Sequence, residues 1–227
     1  MSKHFVTVTL FLMAAGSAFA QENGGFPRFE ATPSFMYIRS SPNLTNSFEL
    51  TPPNGAAPIA ITGANEFNCA GGGGGITYNL TKFVGFTADL GGCKFFGNTL
   101  GLGNVVSGNQ FTYLFGPQLT IRTASRFRPF FNLEFGGDRL ALSCSSSAYI
   151  CQSRAGTGTY STNAFAMVVG GGMDIKLNKR FSLRPAQLEY LYTRFGNSCA
   201  FPVCSNNNNQ NSFRLKSGIV IALGRVQ

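Results

Sequence analysis

Histidine and tryptophan are almost missing from this 227-residue chain, which has no tryptophan and a single histidine, His4. Beyond His4, no histidine is available as a general base, as the partner of a serine or cysteine nucleophile, or as the usual zinc ligand. The chain also lacks any run of eighteen or more apolar residues, so it contains no transmembrane helix. These absences predict a protein that is not an enzyme and uses no cofactor or metal.

The first twenty residues have the three parts of a signal peptide. Lys3 supplies a positive charge, residues 5–13 are apolar but too short to span a bilayer, and the sequence Ala18-Phe19-Ala20 resembles a cleavage site. We therefore expect residues 1–20 to be removed on export, residues 21–28 to form an N-terminal leader, and residues 29–227 to form one folded domain. Because His4 lies in the signal, the exported chain would contain no histidine.

The charge balance is basic, with a formal net charge of +9. Basic proteins often bind nucleic acid, but they usually do so through clustered Lys and Arg residues. Here the basic residues are scattered over turns and single strand positions, and export removes the chain from cytoplasmic nucleic acid. No nucleic-acid partner is expected.

Alternation of side-chain type dominates the rest of the chain, which contains 23 Phe and 28 Gly. Apolar residues alternate with small or polar residues from Phe29 to Leu223, and a period of two indicates β-strands. Three strand pairs are joined by short turns at 79–82, 123–128 and 177–180, and one further strand lies at each end. A shift of strand register is expected near Pro185. The sequence thus predicts eight antiparallel strands, and pairing the first with the last leaves no open edge.

Longer connections join the hairpins at the opposite end from the short turns. They cover residues 40–64, 97–109, 143–160 and 195–209 and are rich in Ser, Asn, Gly and Pro. Short turns at one end and longer loops at the other are typical of membrane β-barrels. The predicted fold is therefore an all-β, eight-stranded, antiparallel up-and-down transmembrane barrel with four external loops. A soluble lipocalin-like barrel has the same alternation turned inside out, and it remains the alternative.

Charged residues bear on this choice, because Arg or Lys on the lipid face of a barrel costs roughly 2–4 kcal/mol near the midplane. Strand parity places seven charged residues opposite the Phe, Leu and Ile positions: Asp89, Glu134, Asp174, Arg184, Glu189, Arg214 and Lys216. We expect them to form a charge network in the lumen. The carboxylate pairs Glu134–Asp138 and Asp89–Asp174 are accordingly expected to be salt-bridged to Arg184, Arg214 or Lys216 rather than catalytic.

Six cysteines in an exported chain predict three disulfides, although six cysteines allow fifteen connectivities. Proximity pairs Cys144 with Cys151 in the third loop and Cys199 with Cys204 in the fourth. Cys69 and Cys93 are equidistant from Thr81, so an unbulged hairpin would place them face to face on the lumen side. A metal site or free thiols are the alternatives, and the lack of histidine partners disfavours a metal site.

Five consecutive glycines, Gly71–Gly75, superficially resemble a phosphate-binding loop. No Lys-Ser or Lys-Thr follows them, and the run enters a predicted strand rather than a helix, so the motif lacks its structural context. We expect these glycines to allow strand curvature and close approach inside a narrow barrel.

The number and order of strands, turns and loops, together with the signal, resemble the OmpA-like transmembrane domain and the broader outer-membrane β-barrel family. The strand from Phe181 to Phe195, with Arg184, Glu189-Tyr190 and Leu191-Tyr192, is similar to strands of that family. The resemblance covers about Phe29 to Leu223. It implies a monomer in the bacterial outer membrane, with a structural, adhesive or surface-exposed role and no large pore.

Two features depart from this resemblance. No peptidoglycan-binding domain follows the last strand, and the chain ends Gly224-Arg225-Val226-Gln227 without a terminal aromatic residue. Tethering to the cell wall is therefore not implied. The expected partners are outer-membrane lipids and an extracellular partner held by the four loops. A porin-like channel for small solutes and a soluble, exported lipocalin-like carrier are the alternative functions.

Overall fold

The computed structural model describes residues 25–40, 48–50, 59–61, 67–96, 106–122, 125–144, 159–194, 198–200, 203–205 and 209–224. Its strands are β1 (Phe29–Ser40), β2 (Phe48–Leu50), β3 (Ile59–Ile61), β4 (Phe67–Asn79), β5 (Val84–Phe96), β6 (Val106–Thr120), β7 (Phe127–Cys144), β8 (Thr159–Lys176), β9 (Phe181–Arg194), β10 (Ser198–Ala200), β11 (Val203–Ser205) and β12 (Asn209–Leu223). Within these residues, no helix has the length and apolar character needed to cross a membrane.

The eight long strands form one closed antiparallel barrel in the order β1-β12-β9-β8-β7-β6-β5-β4. The first strand pairs with the last, so that Phe29 lies opposite Leu223, and it also pairs with β4. Every long strand therefore has two hydrogen-bonded neighbours, and the barrel has no free edge. The predicted eight-stranded up-and-down barrel is confirmed.

The three short connections lie at one end of the barrel, and in the first and third a polar side chain binds the backbone of the turn. Thr81 Oγ1 accepts hydrogen bonds from the backbone N–H groups of Phe83 and Val84, which fixes the first turn. Asn178 Oδ1 likewise accepts from the N–H groups of Arg180 and Phe181 in the third. Short polar side chains that bind backbone two or three residues ahead favour such turns.

Several boundaries differ slightly from those predicted. The first turn occupies residues 80–83 instead of 79–82, and β7 already begins at Phe127, inside the predicted turn 123–128. At the loop end, β6 begins at Val106, β7 ends at Cys144 and β8 begins at Thr159, all inside the predicted connections 97–109 and 143–160. Local propensity marks these strand ends as loop, but pairing with the neighbouring strand satisfies their backbone hydrogen bonds.

The first and fourth long connections contain regular structure that the sequence does not predict. β2 and β3 arise from the first, β10 and β11 from the fourth, and together they form a separate four-stranded sheet in the order β10-β11-β2-β3. β11 pairs antiparallel with β2, with Val203 opposite Leu50. Backbone pairing thus joins two loops that are about 150 residues apart in sequence. The sequence does not predict these strands, because three residues are too few to show strand periodicity.

The barrel has its apolar face outside and its charged face inside. Phe115 and Phe135 on the outer surface are 45% and 42% exposed, whereas Arg214 and Glu189 on the inner surface are 0% and 1% exposed. A soluble barrel would bury its phenylalanines and expose its charges, so the lipocalin-like alternative is wrong. This inside-out distribution is that of a barrel surrounded by lipid.

A register shift occurs in β9, as expected near Pro185. Its pairing with β8 shifts between Met173 and Ile175, and its pairing with β12 shifts between Lys216 and Gly218. Proline has no N–H group to donate to a ladder, and in sheets it is found at edges and bulges. The register shift lies next to Arg184, whose side chain is buried in the lumen.

Candidate functional site

The centre of the lumen is organised around Arg214 on β12. Its Nε donates to Glu189 Oε2 at 2.6 Å, and its Nη1 donates to Asp89 Oδ1 at 3.1 Å and to Thr112 Oγ1 at 3.3 Å. Glu134 Oε2 lies 3.9 Å from Arg214 Nη2. Because these partners lie on β9, β5, β6 and β7, one guanidinium bridges opposite walls of the barrel.

Lys216 adds a second cation to this central cluster by pairing with Asp89. Asn132 adds a neutral donor, its Nδ2 lying 2.9 Å from Glu134 Oε1 and 2.7 Å from Glu189 Oε1. Three carboxylates therefore face two cations in a region closed to solvent. Buried charges are tolerated mainly when they are paired and hydrogen-bonded. Glu134 Oε2 and Arg214 Nη2 lack a hydrogen-bond partner among the described residues, but the other ion pairs of the cluster are hydrogen-bonded and join the opposing walls.

A second ion pair connects to this cluster from the turn side. Arg184 binds Asp174 through two hydrogen bonds of 2.7 and 2.9 Å, and its guanidinium lies 3.9 Å from the ring centre of Phe130. Arg184 Nη1 also donates to Gln187 Oε1, whose Nε2 donates to Glu189. A bidentate Arg–carboxylate pair stacked on an aromatic ring is a rigid arrangement. All seven charged residues assigned to the lumen from strand parity are thus placed inside the barrel.

The ion pair between Arg122 and Glu30, which was not among the predicted lumen charges, lies nearest the short turns. Arg122 Nη2 contacts Glu30 Oε2 at 2.7 Å and Asn79 Oδ1 at 3.0 Å, while Asn79 Nδ2 donates back to Glu30 Oε2 at 3.0 Å. Strand parity could have identified both residues. Glu30 follows the outward-facing Phe29 and Arg122 follows the outward-facing Ile121, so alternation directs both side chains inward. Both positions lie at strand ends, where alternation is too short to separate a lumen residue from a turn residue.

Asp138 does not form the salt bridge expected of it. Its Oδ2 accepts hydrogen bonds from Gln110 at 2.5 Å and from Thr193 at 3.2 Å. Four residues separate it from Glu134 on the same strand, which corresponds to roughly 13 Å. The two carboxylates are therefore too far apart to share a proton, and Asp89 and Asp174 likewise belong to different ion pairs.

Glycines leave room for the large lumen side chains. A Cβ on Gly170 would lie 2.7 Å from the Cγ of Glu189, and one on Gly91 would lie 2.9 Å from the sulfur of Met36. Gly71–Gly75 lie within β4, opposite β5, and form no phosphate loop. The glycine content thus matches an interior filled by long side chains from other strands.

Apolar side chains are also buried in the lumen. Met36, Ile38, Leu114, Val168 and Leu191 are fully buried, with Ala166 and the disulfide between Cys69 and Cys93 beside them. This apolar layer adjoins the ionic cluster, since Leu114 is the register partner of Asp89 and Val168 that of Glu134, and it contributes hydrophobic packing between the walls.

The disulfide between Cys69 and Cys93 is present, but its two residues are not directly opposite. Cys69 pairs with Phe95 and Cys93 with Gly71, so the bridge is diagonal, with Cα atoms 5.5 Å apart. The predicted register was wrong by two residues because the first turn is centred later than Thr81. A diagonal neighbour is still within bridging distance.

The side chains of the other four cysteines lie outside those that the structure describes. Cys199 and Cys204 are register partners on β10 and β11. Cys144 ends β7, and Cys151 lies outside the described residues. Both loop bridges stay predictions.

Together the central ionic cluster, the two ion pairs on its turn side and the apolar layer fill the barrel with side chains from opposite walls. Among the residues that the structure describes, no group of three His, Cys, Asp or Glu side chains could hold a metal ion. The arrangement can brace the wall rigidly.

No family model and no curated protein matches the sequence. Among solved structures, Neisserial surface protein A has a TM-score of 0.53 and is 11% identical, over 86% of this chain and 96% of its own. The chain has the fold of the eight-stranded outer-membrane β-barrels. The β-barrel domain of Pseudomonas aeruginosa OprF (12% identity, 86% and 98% of the two chains, TM-score 0.41) and the attachment invasion locus protein Ail of Yersinia pestis (14%, 85% and 98%, 0.41) are also similar.

Proposed function

We propose that this protein is a monomeric outer-membrane barrel with a structural, surface-exposed or adhesive role, which holds its four long loops outside the cell and neither transports solutes nor catalyses a reaction. The observation that carries the proposal is the cross-lumen network of Arg214. Its partners on four other strands occupy the cross-section that a channel would need to keep wet.

Rigidity supports the loop-display role. The ionic network and the apolar layer join opposite walls, so strand ends at the loop side keep fixed positions. Binding residues commonly lie on loops held by such rigid scaffolds. Pairing of β2 with β11 further links the first and fourth loops. The proposed partners are outer-membrane lipids around the wall and an extracellular molecule at the loops.

Topology on the cell is the first test. An epitope tag inserted within 145–158 is expected to bind antibody on intact bacteria. The matched control carries the same tag in the turn 177–180, and it is expected to bind antibody only after the outer membrane is permeabilised. Boiled and unboiled samples should differ in electrophoretic mobility for both variants, which shows that each barrel is folded.

The opposite labelling pattern would contradict the proposal, since it would put the short turns outside the cell. Recovery of the native protein in the soluble periplasmic fraction, instead of in the sedimented membranes, would contradict the proposal as well.

A further inference from the structure

The short-turn end of the barrel contains a cavity of about 330 Å³ that is separate from the long loops. It lies between the leader residues Gly25, Phe26 and Pro27 and the inward face of the nearby strand ends. Ligand pockets begin at about this volume.

Six basic residues line this cavity, against one carboxylate. The basic residues are Lys82, Arg122, Arg128, Lys176, Lys179 and Arg180. They come from three turns or strand ends that are far apart in sequence, which is why the sequence shows only scattered charges. The fold gathers them at one mouth, where like charges repel each other unless an anion is present.

The single carboxylate, Glu30, is already engaged with Arg122 and Asn79. Over the described ranges, none of the other five basic side chains forms an ion pair. Arg122 is only 6% exposed, and its Nε has no hydrogen-bond partner. The Nε of Arg128 is buried and also has no partner.

Ser182 adds a buried hydroxyl group to the lining, and Val220 and Ala222 add a small apolar patch. Guanidinium groups bind phosphate through paired, charge-assisted hydrogen bonds, and lysines add charge around them. An uncharged ligand would leave the repulsion between the six cations in place.

We propose that this cavity is a binding site for a phosphate group presented from the periplasmic side. The phosphate belongs either to a small soluble phosphorylated compound or to the headgroup of an anionic phospholipid in the inner leaflet. The periplasmic placement rests on the proposed orientation of the barrel, whereas phosphate binding by the cavity does not depend on the loops, so the calorimetric result and the epitope labelling fail separately.

The test uses the full-length protein in a maltoside detergent, which contains no phosphate. Calorimetry measures the binding of pyrophosphate, and native mass spectrometry measures the retention of phosphatidylglycerol against phosphatidylcholine. The rim variant is Lys176→Gln, Lys179→Gln and Arg180→Gln. The control variant, Lys94→Gln, Arg139→Gln and Arg194→Gln, also removes three positive charges, but from exposed positions towards the loop end.

The rim variant should lose binding by about tenfold or more, and the control should keep it, because each lost charge-assisted hydrogen bond is worth more than a tenfold change in affinity. Binding of pyrophosphate without selective lipid retention assigns the site to a soluble compound. Selective retention of phosphatidylglycerol assigns it to a headgroup. If neither probe binds, or if both variants lose binding equally, the proposal is wrong. A mobility shift on boiling verifies that each variant is folded.

Discussion

Arg214 on β12 lies directly opposite Glu189 on β9 in the strand register, and its Nε is 2.6 Å from Glu189 Oε2. Both side chains are essentially inaccessible to solvent. The same guanidinium reaches Asp89 on β5. These contacts join strands on opposite sides of the lumen, so they hold the barrel wall in a fixed shape.

Removal of the central cation should destabilise the barrel strongly. In Arg214→Met, three carboxylates remain in the closed lumen with Lys216 alone, and breaking a buried ion pair in this way costs about 3–5 kcal/mol. The free energy of unfolding can be measured with urea in detergent or vesicles. The matched control is Arg139→Met, which alters an exposed arginine and should change stability by about 0.5 kcal/mol or less. Equal stability of the two variants would contradict a structural role for the network.

The fold and the identity of most lumen residues could be predicted because both depend on a period of two. Asp89 and Arg214 occupy the inward parity in strands long enough to make that parity certain. The partners within the lumen could not be predicted, since they depend on how eight strands are staggered around the barrel. The diagonal disulfide, the Glu30–Arg122 pair and the gathered basic residues all require this stagger.

The cost of a charge on the outer surface should depend on its depth in the bilayer. Phe135→Arg places a cation near the middle of β7, and it should destabilise the barrel by about 2–4 kcal/mol in vesicles. Phe127→Arg, at the turn end of the same strand, should cost about 0–1 kcal/mol. Urea unfolding of both variants checks the difference. If the two substitutions had the same effect, the outer face of β7 would not be in contact with lipid over its length.

The disulfide in the lumen should stabilise the hairpin of β4 and β5. Replacing Cys69 and Cys93 together by alanine is expected to lower the free energy of unfolding by about 2–4 kcal/mol. Each single replacement should cost at least as much, because the bridge is lost either way. Unfolding under oxidising and reducing conditions provides the comparison. A wild-type protein whose stability does not respond to reduction would count against the bridge.

The loop cysteines should form two further bridges. Mass spectrometry of unreduced peptides is expected to find Cys199 joined to Cys204, which are register partners, and Cys144 joined to Cys151. A bridge between any two cysteines of different loops would refute these assignments.

Single-channel conductance of the purified protein in a planar bilayer tests directly whether the lumen is closed. Insertion should be verified by the mobility shift on boiling of the same preparation. Because Arg214 and its partners occupy the lumen, we expect no discrete open-channel steps. Stable conductance steps that change in size in a folded Arg214→Met variant would show that ions pass through the lumen, and they would contradict a plugged barrel.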